Sequence, residues 1–345
     1  MKKTAILFII CLISSRAVAQ ANYTLTGRIL DDISGKAIAN VNVYLSNSLL
    51  GTVTNDSGYY IITGIHDGTY EAVASFMGYE SMSQVVTFDE IKNLKKDFRL
   101  KQKTYILNDV NITAANANDW RQNYALFCEL FLGKSDFAKE CEIENKEQID
   151  LKWESFDVLT AKCSVPLIIV NNALGYRINC VLEQFRWDKA NKMVNYVVKP
   201  GFSLLEPQEA TDTLKWKQNR LRAYEFSIER FLGSLISDNY YEKGYKIFLD
   251  PQPAAENYVS MYSERVTGRE LVLKKSSTKA EEYALHFKNF LRVEYNHETT
   301  WLRLLYPEIS MDRNGNVKEL VPFQVTGAWS TIGIANMLPQ YFNAE

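Results

Sequence analysis

Catalysis needs particular groups held close together, and this chain offers few candidates. Its three histidines are His66, His286 and His297. A catalytic zinc site takes a His and a Glu close in sequence, a more distant third ligand and an open position for water. None of the three histidines is followed by a Glu at the third position. His297-Glu298 is half of a helical His-Glu-x-x-His motif, but Trp301 stands where the second histidine is required. The reading at His297 and Glu298 is therefore a solvated turn between two strands, with no metal ligand assigned.

Nucleophilic and cofactor chemistry find no better footing. There is no Gly-x-Ser-x-Gly elbow, no Ser-x-x-Lys, no phosphate loop and no dinucleotide fingerprint, so no catalytic residue and no cofactor are assigned. Past the first twenty residues the cysteines are Cys128, Cys141, Cys163 and Cys180, without a Cys-x-x-Cys unit. Four cysteines allow three pairings. Cys163 and Cys180 flank an expected hairpin turning near residues 171–173 and are the pair the spacing favours, with buried free thiols as the alternative. Paired acids leave no local signature in a glycosidase. Glu154, Asp157, Glu206, Glu209 and Asp212 sit near aromatics, and a solvated acidic surface explains them more simply. At Asp312-Arg313-Asn314-Gly315-Asn316 the glycine is fourth, where a calcium loop wants it sixth, so a turn with a left-handed glycine is expected. What remains is aromatic richness: Trp153, Trp187, Trp216, Trp301 and Trp329. Exposed, such rings suit glycan or peptide binding; buried, they fill a core.

The elements that must position these residues begin after an export signal. Lys2 and Lys3 precede an apolar run over residues 5–13, and Ala17-Val18-Ala19 forms a small-x-small cleavage site, so residues 1–19 read as a signal peptide. Cys11 follows Ile10, where a lipid-attachment site needs a small residue. No later stretch is long and apolar enough to span a bilayer as a helix. Removing Lys2, Lys3 and Arg16 from the 39 Lys and Arg leaves 36 against 41 acidic residues, a net charge of about −5. That balance recruits neither nucleic acid nor an anionic membrane.

From 22 to 103, short β-rich runs alternate with turn signals, the pattern of an all-β sandwich. Gly35 and Gly58 fall where turns want a positive φ, Asp32 and Asn55 can bond back onto the turn backbone, and Asp67-Gly68 reads as a hairpin. In the run that follows, Tyr70, Ala72, Ala74 and Phe76 share a core face, while Glu71 and Ser75 face water. Residues 104–118 read as a linker. A helix then carries Trp120, Tyr124, Phe127 and Phe131 on one stripe and stops at Gly133. Strands follow over 164–171, 175–185 and 192–198. A single amphipathic helix over 214–237 presents Leu221, Tyr224, Ile228, Phe231 and Leu235, and further strands fall at 245–249, 270–274, 286–295 and 301–306. Residues 119–345 are thus expected to form an α+β domain.

The stretches GRILDDISGKAIANVNVYL and GTVTNDSGYYIITGIHDGTYEAVASFMGYES resemble the carboxypeptidase regulatory-like domain, a prealbumin-like β-sandwich frequent at the N-termini of exported Bacteroidetes-type proteins. The resemblance implies a folding module: in the family, peptidase chemistry belongs to a separate domain, so no carboxypeptidase activity is expected. FLGKSDFAKEC, PLIIVNNALGYRI, RAYEFSIERFLGSL and GAWSTIGIANMLPQYF are similar to the second half of a group of uncharacterised exported Bacteroidetes-type proteins. That likeness implies architecture and location, in the periplasm, at the cell surface or beside the outer membrane, and no reaction.

Three functions follow. The first is a non-catalytic envelope protein, with the sandwich as a docking module and the α+β domain binding a cell-envelope protein or a glycan. The second is a hydrolase of surface polymers whose acids are scattered through the second domain. The third, an outer-membrane receptor that starts with the same sandwich, needs many strands of about ten residues, which the residues after the linker do not supply.

Overall fold

The structure, a computed structural model, describes residues 23–89, 91–103, 114–253, 263–275 and 282–342. The expected signal peptide at 1–19 and residues 104–113 of the expected linker lie outside them.

Two four-stranded sheets form the N-terminal sandwich. In one, Tyr23–Asp31 lies between Tyr59–Ile65 and Asn93–Lys95, with Phe98–Leu100 pairing in parallel further along it. In the other the order is Gly51–Val53, Asn42–Leu45, Gly68–Ser75, Met82–Phe88. The strand Tyr23–Asp31 alternates buried and half-buried residues along its whole length, the period of a strand with one face in a core. Gly35 and Gly58 take the expected positive φ. Asn55 Oδ1 accepts from the N–H groups of Ser57 and Tyr59, but at the first turn it is Asp31, not Asp32, whose Oδ1 accepts from Ser34 N–H at 2.7 Å.

Asp67-Gly68 is not a hairpin. Tyr59–Ile65 pairs with Tyr23–Asp31, whereas Gly68–Ser75 pairs with Asn42–Leu45 and Met82–Phe88, so the chain crosses there from one sheet to the other. The face expected to be wet is covered too. Val73 and Ser75 are buried, and Glu71 bonds to Lys199, 128 positions along the chain, at 2.7 Å.

Beyond the sandwich the chain builds two more hydrophobic cores, both inside the stretch expected to be one α+β domain. The helix Ala114–Phe131 starts inside the stretch expected to be a linker and stops before Gly133, whose φ is 98°. Its Phe127 and Phe131 are fully buried against Phe185, each burial contributing about 1.5–3 kcal/mol. They pack on a six-stranded sheet in the order Ile149–Ser155, Val158–Cys163, Tyr176–Asp188, Leu167–Asn171, Cys141–Ile143, with Met193–Leu204 pairing along Tyr176–Asp188.

The expected helix at 214–237 is two, Asp212–Glu225 and Ile228–Ile236. Ser227 breaks it: its backbone is extended and its Oγ accepts from Arg230 N–H at 3.1 Å, capping the second helix. Ala223 joins the second core, while Phe231, Leu232 and Leu235 belong to the third. That third core lies beneath a five-stranded sheet ordered Glu264–Arg265, Lys246–Asp250, Phe290–Tyr295, Glu298–Leu304, Phe323–Gly327, and a three-stranded one of Val272–Lys275, Glu282–Leu285 and Ile309–Asp312. The expected strand at 270–274 begins as one helical turn, Gly268–Leu271, because Thr267 and Glu270 close a capping box. Among the described residues no helix is long and apolar enough to cross a membrane, which says nothing of a β-barrel.

Candidate functional site

The three histidines lie apart. His66 sits at the sandwich crossover, His286 follows Glu282–Leu285, and His297 is in a two-residue turn. Asn296 and His297 both have positive φ, at 50° and 66°, and join Phe290–Tyr295 to Glu298–Leu304 as a tight hairpin that leaves His297 exposed. Among the described residues no group of three His, Cys, Asp or Glu is arranged to hold a metal ion.

Cys128, Cys141, Cys163 and Cys180 are free thiols. The hairpin expected to pair Cys163 with Cys180 is present, but its register places Leu167 opposite Cys180, while Cys163 lies on the preceding strand opposite Ile149. Burial pushes the Cys180 thiol up and that of Cys141 to about 12, which disfavours the reactive thiolate.

The candidate acids do not converge. Glu154 pairs with Arg186 at 3.3 Å on an exposed sheet. Asp212 Oδ2 accepts from the N–H groups of Gln208 and Glu209 at the start of its helix. Glu206 and Glu209 line the exposed loop before it, and Asp157 lies in the turn that joins Ile149–Ser155 to Val158–Cys163. Burial raises Glu319, which sequence reasoning missed, but both its oxygens are held by Ser310 N–H at 3.0 Å. The loop at Asp312 closes on itself: Oδ1 accepts from the N–H groups of Asn314 and Asn316, and Gly315 has a φ of 85°.

The tryptophans divide by what their indole N–H does. Trp153 donates to Asn123 Oδ1, Trp216 to Asn172 O and Trp301 to Asp250 Oδ2, each at 2.9 Å. Trp187 packs edge-on against Trp153, 5.9 Å between centroids. These rings hold the fold together. The indole N–H of Trp329, like that of Trp187, has no partner among the described residues, but Trp329 lines a cleft. Its backbone N–H donates to Thr300 Oγ1 at 3.1 Å. It is seated by Gly327, at φ 95°, where a Cβ would meet Thr299 O at 2.3 Å.

Trp329 lines a cleft of about 240 Å³ between the second and third cores. Phe226 and Tyr295 lie 5.6 Å apart, edge to face, on its wall. Phe226 is 40% exposed because it occupies the break between the two helices. Glu298, Thr331 and Asn336 supply polar groups. Asn336 Oδ1 accepts from Ser135 Oγ, and among the described residues its amide N–H₂ has no partner and the exposed Glu298 carboxylate forms no ion pair. A larger cleft of about 630 Å³ beside His286 is lined by Asp250 and Glu270, but these are held by Arg292 and Trp301, and by Thr267. The first cleft therefore combines apolar rings with unengaged hydrogen-bonding groups, the composition of a small-ligand site. Of its residues, sequence reading singled out Trp329, as an aromatic, and Glu298, as half of a metal motif; Phe226, Tyr295 and Asn336 carried no signal.

Residues 25–112 match the model of the CarboxypepD_reg-like domain, and the N-terminal sandwich is a domain of that family. A search of curated proteins finds no match. Among solved structures, the group B streptococcus pilus 2b backbone protein is similar at 18% identity and a TM-score of 0.21, over 24% of this chain and 42% of that one. The chain thus spans less than half of that protein. A cohesin–X-dockerin complex from Acetivibrio cellulolyticus is similar at 20% identity and a TM-score of 0.22, over 33% and 76%. A DUF3823 family protein from Parabacteroides merdae is similar at 15% identity and a TM-score of 0.18, over 56% and 83%. None of them describes this chain as a whole.

Proposed function

We propose that the protein is an exported, non-catalytic component of the cell envelope that binds a glycan in the cleft formed by Phe226, Tyr295 and Trp329, with residues 22–103 as a docking module carried ahead of the binding region at 119–345. The observation that carries this is the pairing of an aromatic platform with unengaged polar groups. Sugar rings present apolar C–H faces that stack on aromatic rings and hydroxyls that need partners, and Trp329 N–H, Asn336 and Glu298 offer both donors and an acceptor. A hydrolase would need two carboxyl groups flanking the scissile bond, about 5–9.5 Å apart. Among the described residues Glu298 is the single acid on this cleft.

Calorimetric titration of the mature protein with neutral β-linked gluco-oligosaccharides tests the proposal. Binding is expected for the wild type and is lost in Trp329→Ala without release of reducing sugar. Reducing-sugar release that survives Trp329→Ala, or no binding by either protein, would count against it.

A further inference from the structure

The electrostatics of the cleft narrow the ligand further, on the reading that the cleft binds sugar. Glu298 is the first residue of its strand, directly after the Asn296-His297 turn, and stands opposite Tyr295 in the hairpin. Backbone pairing therefore fixes its position at the mouth of the cleft. Among the described residues the cation packed on these rings is Arg230, which donates to Tyr245 Oη at 2.9 Å and lies 5.5 Å from the centroids of both Tyr245 and Tyr295. Among the described residues no Lys or Arg lines the cleft itself. The site thus presents an unneutralised carboxylate beside the faces of Phe226, Tyr295 and Trp329, and both features attract a positive charge.

We infer that the preferred ligand is a glycan bearing a free, protonated amine, an unacetylated amino sugar. The ring stacks on the aromatic wall, and the ammonium group donates to the Glu298 carboxylate. The ligand's ammonium pairs with a carboxylate that forms no ion pair among the described residues, in a cleft that Arg230 does not line. Strand pairing fixes the backbone of Glu298, and ordering its side chain on binding costs about 0.5–1.5 kcal/mol. The cleft is smaller than the roughly 300–1,000 Å³ of drug-sized sites, which suits one or two sugar rings.

The experiment uses the whole mature chain at mildly acidic pH, where the amine is protonated, with three probes of equal length: a glucosamine oligomer, its fully N-acetylated counterpart and a neutral gluco-oligomer. A charge-assisted hydrogen bond predicts that the glucosamine oligomer binds about tenfold or more tightly than the other two. Glu298→Gln keeps the shape and removes the charge, and is expected to bring all three affinities level. Glu298→Asp, which keeps the charge, should retain part of the preference. Equal binding of the three probes by the wild type, or a preference that survives Glu298→Gln, overturns the amine assignment while leaving a glycan cleft in place. Failure of every probe overturns both.

Discussion

Two of the junctions between the three cores are built in opposite ways. Between the sandwich and the second core the surface is closed. Lys199 is nearly buried there and bonds to Glu71 at 2.7 Å, Glu183 at 2.5 Å and Ser83 at 2.6 Å, while its own carbonyl accepts from Tyr44 Oη at 2.8 Å. Gly201 lets the backbone lie against the Tyr44 ring, where a Cβ would come within 2.5 Å. Between the second and third cores the surface is open: Phe226 is exposed, and Trp329 N–H and Glu298 are unengaged. A junction whose polar groups are all satisfied holds a fold together. A junction that leaves them unsatisfied beside aromatic rings is where a ligand can be held.

The comparison breaks most visibly at Lys199. Removing its ammonium leaves Glu71 half-buried with Ser83 Oγ, 2.8 Å away, as its remaining donor, and truncation of one member of a fully buried pair costs about 3–5 kcal/mol. Because Glu183 is 43% exposed and can turn to water, Lys199→Ala is expected to cost up to about 3 kcal/mol in chemical denaturation, with glycan affinity unchanged. A loss of affinity equal to that of Trp329→Ala would show that the junctions are coupled. The second variant sharpens the contrast at the hinge of the open junction. Ser227→Ala removes the cap of Ile228–Ile236 and should cost about 1 kcal/mol, again read by denaturation. A cost near zero would mean that tertiary packing alone sets the break.

Ser227 also shows why part of the fold was legible in the sequence and part was not. The stripe Trp120, Tyr124, Phe127 and Phe131 names a helix facing one core, and the helix is there. Leu221, Tyr224, Ile228, Phe231 and Leu235 continue at the same spacing through a break, because two short helices facing two different cores keep the period that one long helix would show. The available signal was Ser227 itself, a cap-forming residue in the middle of the run. Asp67-Gly68 failed in the same way. A turn dipeptide specifies a reversal of the chain, but which sheet receives the next strand is decided by distant partners. The wet face assigned to Glu71 and Ser75 was misread because its cover, Lys199, comes from a strand more than a hundred residues away. The cleft was the least legible feature, since Phe226, Tyr295, Glu298, Trp329 and Asn336 come from separate segments with no shared local pattern.

The smallest expected effect lies where the chain's last described residues return to the sandwich. Gln340 N–H donates to Asn47 O at 2.6 Å, and Tyr341 stacks on His66 with 4.2 Å between ring centroids and an 11° tilt, its hydroxyl donating to Asp67 O at 3.0 Å. His66 Nδ1 is buried there without a hydrogen-bond partner. The groups around it are the carboxylates of Asp67 and Asp312, the phenols of Tyr70 and Tyr341, and the Lys318 ammonium that pairs with Asp67 at 2.5 Å. Burial lowers the His66 pKa below its ordinary 6.5, against a smaller opposing pull from Asp312 and Asp67. The unfolded chain therefore takes up a proton at this residue more readily than the folded one. The stability that a neutral His66 contributes is present above about pH 6.5 and is lost as pH falls below it. His66→Phe keeps an aromatic ring against Tyr341 and removes the titration, so its melting temperature should decline less than that of the wild type between about pH 7 and pH 5. Parallel declines for the two proteins would mean that His66 takes up its proton as readily in the fold as in the unfolded chain, and that the contact with Tyr341 is indifferent to its charge.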